Sequence, residues 1–341
     1  MRAGSDSHRQ VQDLQRDLRR LGYLKAGIDG NFGAGTSAAV QALQHDLMFN
    51  DAKSSSGDGP APVRVIDYNR NRVHAVTGEA DQPFIECISD ILDDPKFITL
   101  PFSKNPEADN VTMRASLSAL PSTMVPTPFL LSILQQESGL QHYREPSRDD
   151  QDSYIVVGFD NNAPQKYAIT SRGYGAGQYT LFHHPPRPEE VAQFMLDPAA
   201  NVAMASRQLR YKFDHFIVGQ RGAQADDRIA ETGSIPLRLC KHAKTDARYM
   251  TDCRQCANNA GEETIRASVT PLFEGCPDKY EITQYYAEEQ SADVPIRRAI
   301  GCDWPYAVRR YNGSGVNSYW YQARVLSNLA RLPDPTATGD K

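Results

Sequence analysis

The sequence has no run of about 18 apolar residues, which a membrane-spanning helix would need. It also has no cluster of basic residues, and its formal net charge is -5. These two features argue against a nucleic acid or an anionic membrane surface as the main partner. Residues 1–7 lack the apolar segment of a secretory signal. We therefore expect neither a membrane span nor a signal peptide.

The composition is that of an ordinary globular protein. The 341 residues are 40% hydrophobic and 23% charged. A chain of this length can build two domains, each with its own hydrophobic core.

One apolar segment, residues 129–139, contains an acidic side chain near its end. Thr127 and Pro128 are typical of a helix N-cap and a first-turn proline, and Gly139 is typical of the left-handed residue that ends a helix. The apolar residues recur at helical spacing, so one buried face can hold Glu137 partly out of water. Cleavage of a glycosidic bond requires such an acid, because the leaving sugar oxygen must be protonated. A Glu at the edge of an ordinary amphipathic helix is the alternative interpretation.

Three further motifs follow this glutamate in the chain. After Glu137-Ser138 come the glycine-rich segment Arg172 to Thr180, a helix led by Asn201, and Tyr311-Asn312-Gly313-Ser314-Gly315. This order resembles the lytic transglycosylases and goose-type lysozymes of the lysozyme superfamily, over residues 126–332. The sequence departs from the commoner transglycosylase pattern at Ala176-Gly177, where a Leu-Met pair is usual. A long insertion also separates the last two motifs.

The resemblance implies a lysozyme-like, mostly helical catalytic domain with Glu137 as general acid and then general base. The residues implied to bind substrate are Gly175, Gln178, Tyr179, Tyr311 and Asn312, and those implied to support the site are Ser138 and Asn201. Tyr311 is implied to orient or hydrogen-bond Glu137, and a buried structural tyrosine is the alternative. We expect no cofactor and no metal at this site.

The mechanism depends on whether a second carboxylate takes part. Lytic transglycosylases use a single Glu and leave a 1,6-anhydro sugar, whereas goose-type lysozymes use Asp residues shortly after the Glu to position a water. Asp150 and Asp160 are the candidates for a second acid, although a solvated acidic loop also explains them. We predict a lytic transglycosylase that cleaves the β-1,4 bond between MurNAc and GlcNAc of peptidoglycan, and we keep a hydrolytic muramidase as the alternative.

The N-terminal segment has a helical apolar stripe, a turn-rich loop and a second helix for which Thr36 is the predicted N-cap. Val11 to Gln15, Asp29-Gly30-Asn31-Phe32-Gly33 and Ala39 to Gln44 resemble the three-helix peptidoglycan-binding domain of many wall hydrolases. The resemblance implies that Asp29, Gly30, Phe32 and Gly33 contact the cell wall. The alternative for Asp29 is that it only caps the turn.

These interpretations divide the chain into domains of a mainly α (α+β) protein. They are a peptidoglycan-binding domain at 1–95 with its third helix near 83–92, a linker at 96–125, and the catalytic domain at 126–335. A small β element is predicted from the β-branched and aromatic runs 154–159 and 167–170. The last predicted helix, 318–332, has Trp320 on its apolar face.

Five of the six cysteines lie in or beside an insertion at about 219–300. Cys253 and Cys256, with Cys240 and Cys276, are a potential zinc set with His242 as an extra ligand, but their spacing matches no standard zinc finger. Because the expected workplace is oxidising, we favour disulfides. No function is predicted for the insertion.

Peptidoglycan glycan strands are the expected partner, and the periplasm is the expected site of action. The protein would arrive there as a phage endolysin during lysis or as an antibacterial effector injected by a secretion system, and an effector would need an immunity or inhibitor protein. Two other functions stay open. The glycine-rich segment also resembles plant-type chitinases, and an inactive lysozyme-like domain would leave a non-catalytic wall-binding protein.

Overall fold

The computed structural model describes Met1 and residues 8–120, 125–216, 239–267, 299–313 and 317–332. These residues form mostly helices, together with one three-stranded sheet. The predicted mainly α fold class with a small β element is therefore confirmed. The chain divides into two compact units, Met1–Arg114 with Gln141–Val202, and Ala115–Leu140 with Ala203–Lys341.

The first unit begins with the helices of the N-terminal segment. They are α1 (His8–Arg20), α2 (Ala34–Phe49), α3 (Gln82–Asp93) and α4 (Pro106–Ser116), with a short 3-10 turn at Val65–Tyr68. The last two residues of α4 and a second 3-10 turn, Leu117–Ala119, already belong to the second unit. The predicted third helix near 83–92 is confirmed by α3, and Asp81 caps it by accepting a hydrogen bond from the Phe84 amide at 3.0 Å. Helices α1 to α3 share one core, in which Val11, Leu18, Val40, Leu43, Phe84 and Ile91 are fully buried.

Residues 141–202 belong to this same unit. The guanidinium of Arg19 at the end of α1 lies 2.5 Å from the carboxylate of Asp152, and both side chains are buried. Arg172 donates a hydrogen bond to the Gly22 carbonyl at 3.0 Å and lies over the ring of Tyr23. The compact units therefore do not follow the predicted boundaries, because buried ionic contacts join segments that are far apart in sequence.

The sheet lies within residues 141–202. Strands β1 (Val157–Asp160), β2 (Ser171–Tyr174) and β3 (Tyr179–Leu181) are antiparallel and adjacent in that order. The first predicted strand overlaps β1, whereas the prediction of a strand at 167–170 is wrong, since β2 begins at Ser171. The glycine-rich segment forms the β2–β3 hairpin instead, and positive φ angles at Gly175 (72°) and Gln178 (49°) close its turn. A single helical turn, α6 (Pro188–Glu190), continues as a π-turn at Val191–Met195.

Helix α7 (Pro198–Phe216) leads from the first unit into the second. The second unit also contains α5 (Thr127–Ser138), α8 (Cys253–Ala267), α9 (Trp304–Asn312) and α10 (Asn317–Arg331), and α8 is interrupted at Gly261. Helix α10 packs against α5, α8 and α9. Much of the predicted insertion, including Cys276, lies outside the described residues.

Three local predictions need correction. Helix α2 starts at Ala34 with Gly33 as its N-cap, and Thr36 is a buried residue of its first turn. Helix α5 starts at Thr127, so Pro126 is the N-cap. Trp320 is 51% exposed, and Tyr321, Val325 and Leu326 form the buried face of α10.

The five described cysteines, Cys87, Cys240, Cys253, Cys256 and Cys302, are free thiols, so the favoured disulfides are not found among them. Within the described ranges, no helix combines the length and the apolar character that crossing a bilayer demands.

Candidate functional site

Glu137 lies in the last turn of α5, where the sequence predicted it. Buried Phe129, Leu130, Ile133 and Leu134 anchor the helix on one side. Gly139 has φ 64° and donates to the Gln135 carbonyl at 3.1 Å, and Leu140 donates to the Leu134 carbonyl at 3.3 Å. This C-terminal motif ends the helix directly after Glu137 and holds its partly buried carboxyl in place.

Tyr321 of α10 is the hydrogen-bond partner of this carboxyl. Its hydroxyl donates to Glu137 Oε1 at 2.6 Å, and its ring is 6% exposed. Tyr321 was not predicted from the sequence, because Trp320 was expected on the buried face of α10, and a shift of one position turns a different residue inward. A buried tyrosine needs a hydrogen-bond partner for its hydroxyl. This requirement is the signal that would have pointed to Tyr321 as the partner of Glu137.

Burial raises the pKa of Glu137 to about 7, and the hydrogen bond from Tyr321 opposes that rise. The C-terminal end of α5 carries partial negative charge, which also disfavours an anion there. A substantial fraction of the Glu137 side chains therefore keeps its proton at neutral pH. This is the protonation state that an acid catalyst needs.

Tyr311, at the end of α9, is a predicted substrate-binding residue that lies close to Glu137. Burial raises the pKa of the Tyr311 hydroxyl well above its usual range, and the charge of Glu137 adds to the rise. The next residue, Asn312, is exposed at the last position of α9. The hydroxyl of Ser138 donates to the Leu134 carbonyl of its own helix at 3.0 Å.

Gly175 and Asn201 are brought together at the β2–β3 turn of the first unit. Asn201 is fully buried, accepts from the Gly177 amide at 2.8 Å, and donates to the carbonyls of Tyr174 and Phe194 at 3.0 Å each. A Cβ on Gly175 would lie 2.6 Å from the ring of His142. These contacts give Asn201 and Gly175 structural roles in fixing the hairpin.

His142 is a buried residue of this cluster that sequence reasoning missed. Its Nε2 is 2.7 Å from the Met195 carbonyl, and its Nδ1 accepts from the Ala176 amide at 3.4 Å. Burial lowers the pKa of His142 to about 4, so the ring is neutral at pH 7. A neutral ring donates from Nε2 and accepts at Nδ1, as both contacts require.

Gln178 and Tyr179 follow this turn. The Gln178 amide nitrogen donates to the Gly175 carbonyl at 2.8 Å, so it binds the turn itself. The ring of Tyr179 lies 4.3 Å from the ring of Phe194.

The two candidates for a second acid lie in the first unit, whereas Glu137 belongs to the second unit. Asp150 accepts hydrogen bonds from the amides of Ile28 at 3.0 Å and Asp152 at 2.8 Å. Asp160 is exposed at the end of β1 and accepts from the Asn161 amide at 2.9 Å. Asp150 therefore has a structural role in holding the α1–α2 loop.

The α1–α2 loop is organised by the buried side chain of Gln15. Its amide oxygen accepts from the Gly30 amide at 2.7 Å, and its nitrogen donates to Asp29 at 2.9 Å and to Thr36 at 2.9 Å. Asp29 also accepts from the Asn31 amide at 2.9 Å. Burial favours the protonated form of Asp29, but these hydrogen bonds prevail and lower its pKa. Asp29 therefore caps the turn, and its contact with the cell wall stays a prediction.

The other predicted wall contacts differ in exposure. Gly30 has φ 77° and is buried, and Gly33 is exposed at the start of α2. Phe32 is only 4% exposed and packs in the core of the first unit. Its ring therefore stabilises the domain and is not presented on a surface.

A cavity of about 570 Å³ lies beside α2 within the first unit. Small residues of α2 form one wall, and Phe159 and Tyr167 contribute aromatic rings; Lys25, Lys166 and Asp160 are its charged lining residues. Ligand sites of small molecules have this size and mixture of apolar and polar groups.

Comparison with known proteins identifies the N-terminal part of the chain. Residues 7–49, which cover α1 and α2, match the family model of the peptidoglycan binding domain. No curated protein and no solved structure matches the chain. The chain therefore carries an N-terminal peptidoglycan-binding domain, which associates it with the bacterial cell wall.

Proposed function

We propose that the protein is a peptidoglycan lytic transglycosylase in which Glu137 is the catalytic acid and base. The observation that carries this proposal is the Glu137 carboxyl, held at the end of α5 by Tyr321 at 2.6 Å. The peptidoglycan-binding domain at residues 7–49 supplies the substrate class. An acid of this kind, on a chain that binds the cell wall, is suited to cleaving the β-1,4 bond between MurNAc and GlcNAc.

The proposed reaction uses one carboxyl group twice. Protonated Glu137 donates its proton to the glycosidic oxygen as the bond to C1 of MurNAc breaks. The resulting carboxylate then takes the proton of the C6 hydroxyl as that oxygen bonds to C1. The products are a 1,6-anhydro sugar and a free 4-hydroxyl on GlcNAc, and no water is consumed. Enzymes that switch one carboxyl from acid to base in this way need a pKa close to the working pH.

The products of digestion test this reaction. We expect mass spectrometry of the soluble fragments released from purified sacculi to show anhydro ends. Reducing ends, with activity lost in Asp160→Asn, would instead identify a hydrolytic muramidase. Cleavage of chitin without cleavage of sacculi would identify a chitinase-like enzyme, and a folded protein inactive on both would be a non-catalytic wall-binding protein.

Tyr321→Phe should move the pH dependence of lysis towards higher pH. The tyrosine hydroxyl opposes the rise in the pKa of Glu137, so its removal raises that pKa further and keeps the acid protonated in more alkaline buffer. The alkaline limb of the pH profile, measured by the turbidity of sacculi, checks this shift. Tyr249→Phe, on a tyrosine in the loop before α8, is the control. An unmoved limb in Tyr321→Phe would show that the hydroxyl does not act on Glu137.

We propose that the cavity beside α2 contributes to binding of the cell wall. Its aromatic and apolar walls suit a sugar ring, and the ammonium groups of Lys25 and Lys166 suit carboxylates of the glycan or of its peptides. Ala38 lines the cavity from an exposed position of α2. A large side chain at position 38 would therefore fill the cavity without disturbing the core.

Ala38→Trp should raise the dissociation constant for purified sacculi, measured by sedimentation at increasing amounts of sacculi, by about tenfold, which corresponds to the loss of about 1.4 kcal/mol of binding free energy. Ala38→Trp and the control variant should keep the thermal stability of the wild type. Ala108→Trp is the matched control, because Ala108 is an exposed alanine of α4. Equal sedimentation of the two variants would exclude the cavity as a wall-binding site.

We place the activity in the periplasm, because the glycan strands that Glu137 would cleave lie there. Lysis by a phage and injection by a secretion system are the two delivery routes that fit a wall-cleaving enzyme. An injected effector would require an inhibitor protein in the producing cell, and a phage enzyme would not. The neighbouring genes distinguish these routes.

A further inference from the structure

A group of metal-binding side chains lies at the start of α8, apart from the site described above. The donor atoms of His242, Asp252 and Cys256 all lie within 4.8 Å of one another. His242 Nε2 is 3.1 Å from Asp252 Oδ2. We propose that these three residues bind a zinc ion that stabilises the second unit.

The spacing of the donor atoms fits a tetrahedral site. Zinc bonds of about 2.0 to 2.3 Å to nitrogen, oxygen and sulfur place the ligands roughly 3.5 Å apart. The longest distance between two of the three donor atoms would therefore shorten by only about 1 Å when an ion binds. An imidazole, a carboxylate and a thiolate are all ligands that zinc accepts, and the thiolate disfavours magnesium or calcium.

The surroundings of His242 are those of a metal ligand. While Nε2 faces Asp252, the other ring nitrogen, Nδ1, lies 3.7 Å from the carboxylate of Asp246. Two hydrogen bonds from Arg248, at 3.1 and 2.8 Å, fix that carboxylate. A carboxylate on the distal nitrogen is the usual outer partner of a zinc-bound histidine, because it orients the ring and selects its tautomer.

Neighbouring thiols offer a fourth ligand. Cys240 accepts a hydrogen bond from the Met250 amide at 3.3 Å. All four described thiols of this region, those of Cys240, Cys253, Cys256 and Cys302, are free.

The position of the site indicates what the zinc would do. It would fasten the loop 239–252 to the first turn of α8. Helix α8 packs against α10, which carries Tyr321, and against α5, which carries Glu137. Arg254 of α8 also donates to the Leu332 carbonyl, beyond the end of α10, at 3.3 Å. The metal would thus stabilise the helices that support Glu137, and it would not take part in the chemistry.

Metal analysis of the full chain tests the site. We expect about one equivalent of zinc per chain after expression in zinc-supplemented medium, and less than about a tenth of that in Cys256→Ser and in His242→Gln. Cys87→Ser, which removes a buried thiol of the first unit, should keep the full equivalent. A wild type that carries no zinc and gains no thermal stability from added zinc would overturn the proposal.

Cobalt provides a second readout, which is made first on the wild type. Co²⁺ added to the chelator-treated wild type should give the absorption of a tetrahedral site with a thiolate-to-cobalt charge-transfer band, and Cys256→Ser should lose that band. The intact mass of the protein, measured without reductant, shows whether its cysteines are free or joined in disulfides. If Cys256 is found oxidised to a disulfide in protein that was never exposed to reductant, the zinc assignment is wrong.

Discussion

Glu137→Gln should reduce lysis of purified sacculi by at least about a thousandfold, equivalent to roughly 4 kcal/mol of transition-state stabilisation. The amide is nearly the same size as the carboxyl and can still accept the hydrogen bond from Tyr321. It cannot give up a proton to the leaving sugar oxygen, and it cannot become the base of the second step. The substitution should therefore lower the rate of lysis and leave the fraction of protein that sediments with sacculi unchanged.

A control on the same helix separates loss of the acid from loss of the fold. Gln135 is exposed on α5, two positions before Glu137, so Gln135→Ala should lyse sacculi at the wild-type rate. Circular dichroism of both variants should match the wild type. A folded Glu137→Gln variant with unreduced activity would refute the proposed function, and the wall-binding assignment of residues 7–49 would be unaffected.

Glu137→Gln should also change how stability depends on pH. The pKa of Glu137 is raised from 4.5 to about 7 by burial. Below pH 4.5 the carboxyl is protonated in both folded and unfolded chains. Between pH 4.5 and 7 the unfolded chain ionises while the folded one keeps its proton, so the wild type loses stability as pH rises. Glutamine does not titrate, and it avoids this loss.

The free energy of unfolding from urea melts at pH 4.5, 6 and 8 measures the effect. Relative to the wild type, Glu137→Gln should gain up to about 3 kcal/mol between pH 4.5 and pH 8, and most of the gain should be present by pH 7. Glu107→Gln, at an exposed position of α4, serves as the control. A constant difference between Glu137→Gln and the wild type across this range would mean that burial does not raise the pKa of Glu137.

Local sequence signals were enough to predict the helix that carries the acid. Periodic apolar residues, an early proline and a final glycine specify α5, which ends before Gly139 as predicted and starts at Thr127, one residue earlier than predicted. The partner of Glu137 could not be predicted with the same certainty. It depends on which of two neighbouring aromatic residues of α10 turns inward, and packing against α5 decides for Tyr321 over Trp320.

The division into compact units was harder to predict from sequence. Arg19 and Asp152 are 133 positions apart, and no local pattern indicates that their side chains meet in a buried pair. The hairpin at 171–181 also depends on contacts between residues that are far apart in sequence. No strand was predicted within this glycine-rich segment, but the buried contacts of Asn201 and His142 hold it as paired strands. Such long-range polar contacts override local propensity.

The rate of muropeptide release from sacculi, measured from pH 4 to pH 9, tests most directly whether Glu137 acts in its protonated form. We expect the rate to fall about tenfold per pH unit above pH 7, since only the protonated acid can start the reaction. Sedimentation with sacculi should stay constant over the same range. A rate that does not fall between pH 7 and pH 9 would contradict the assignment of Glu137 as the acid.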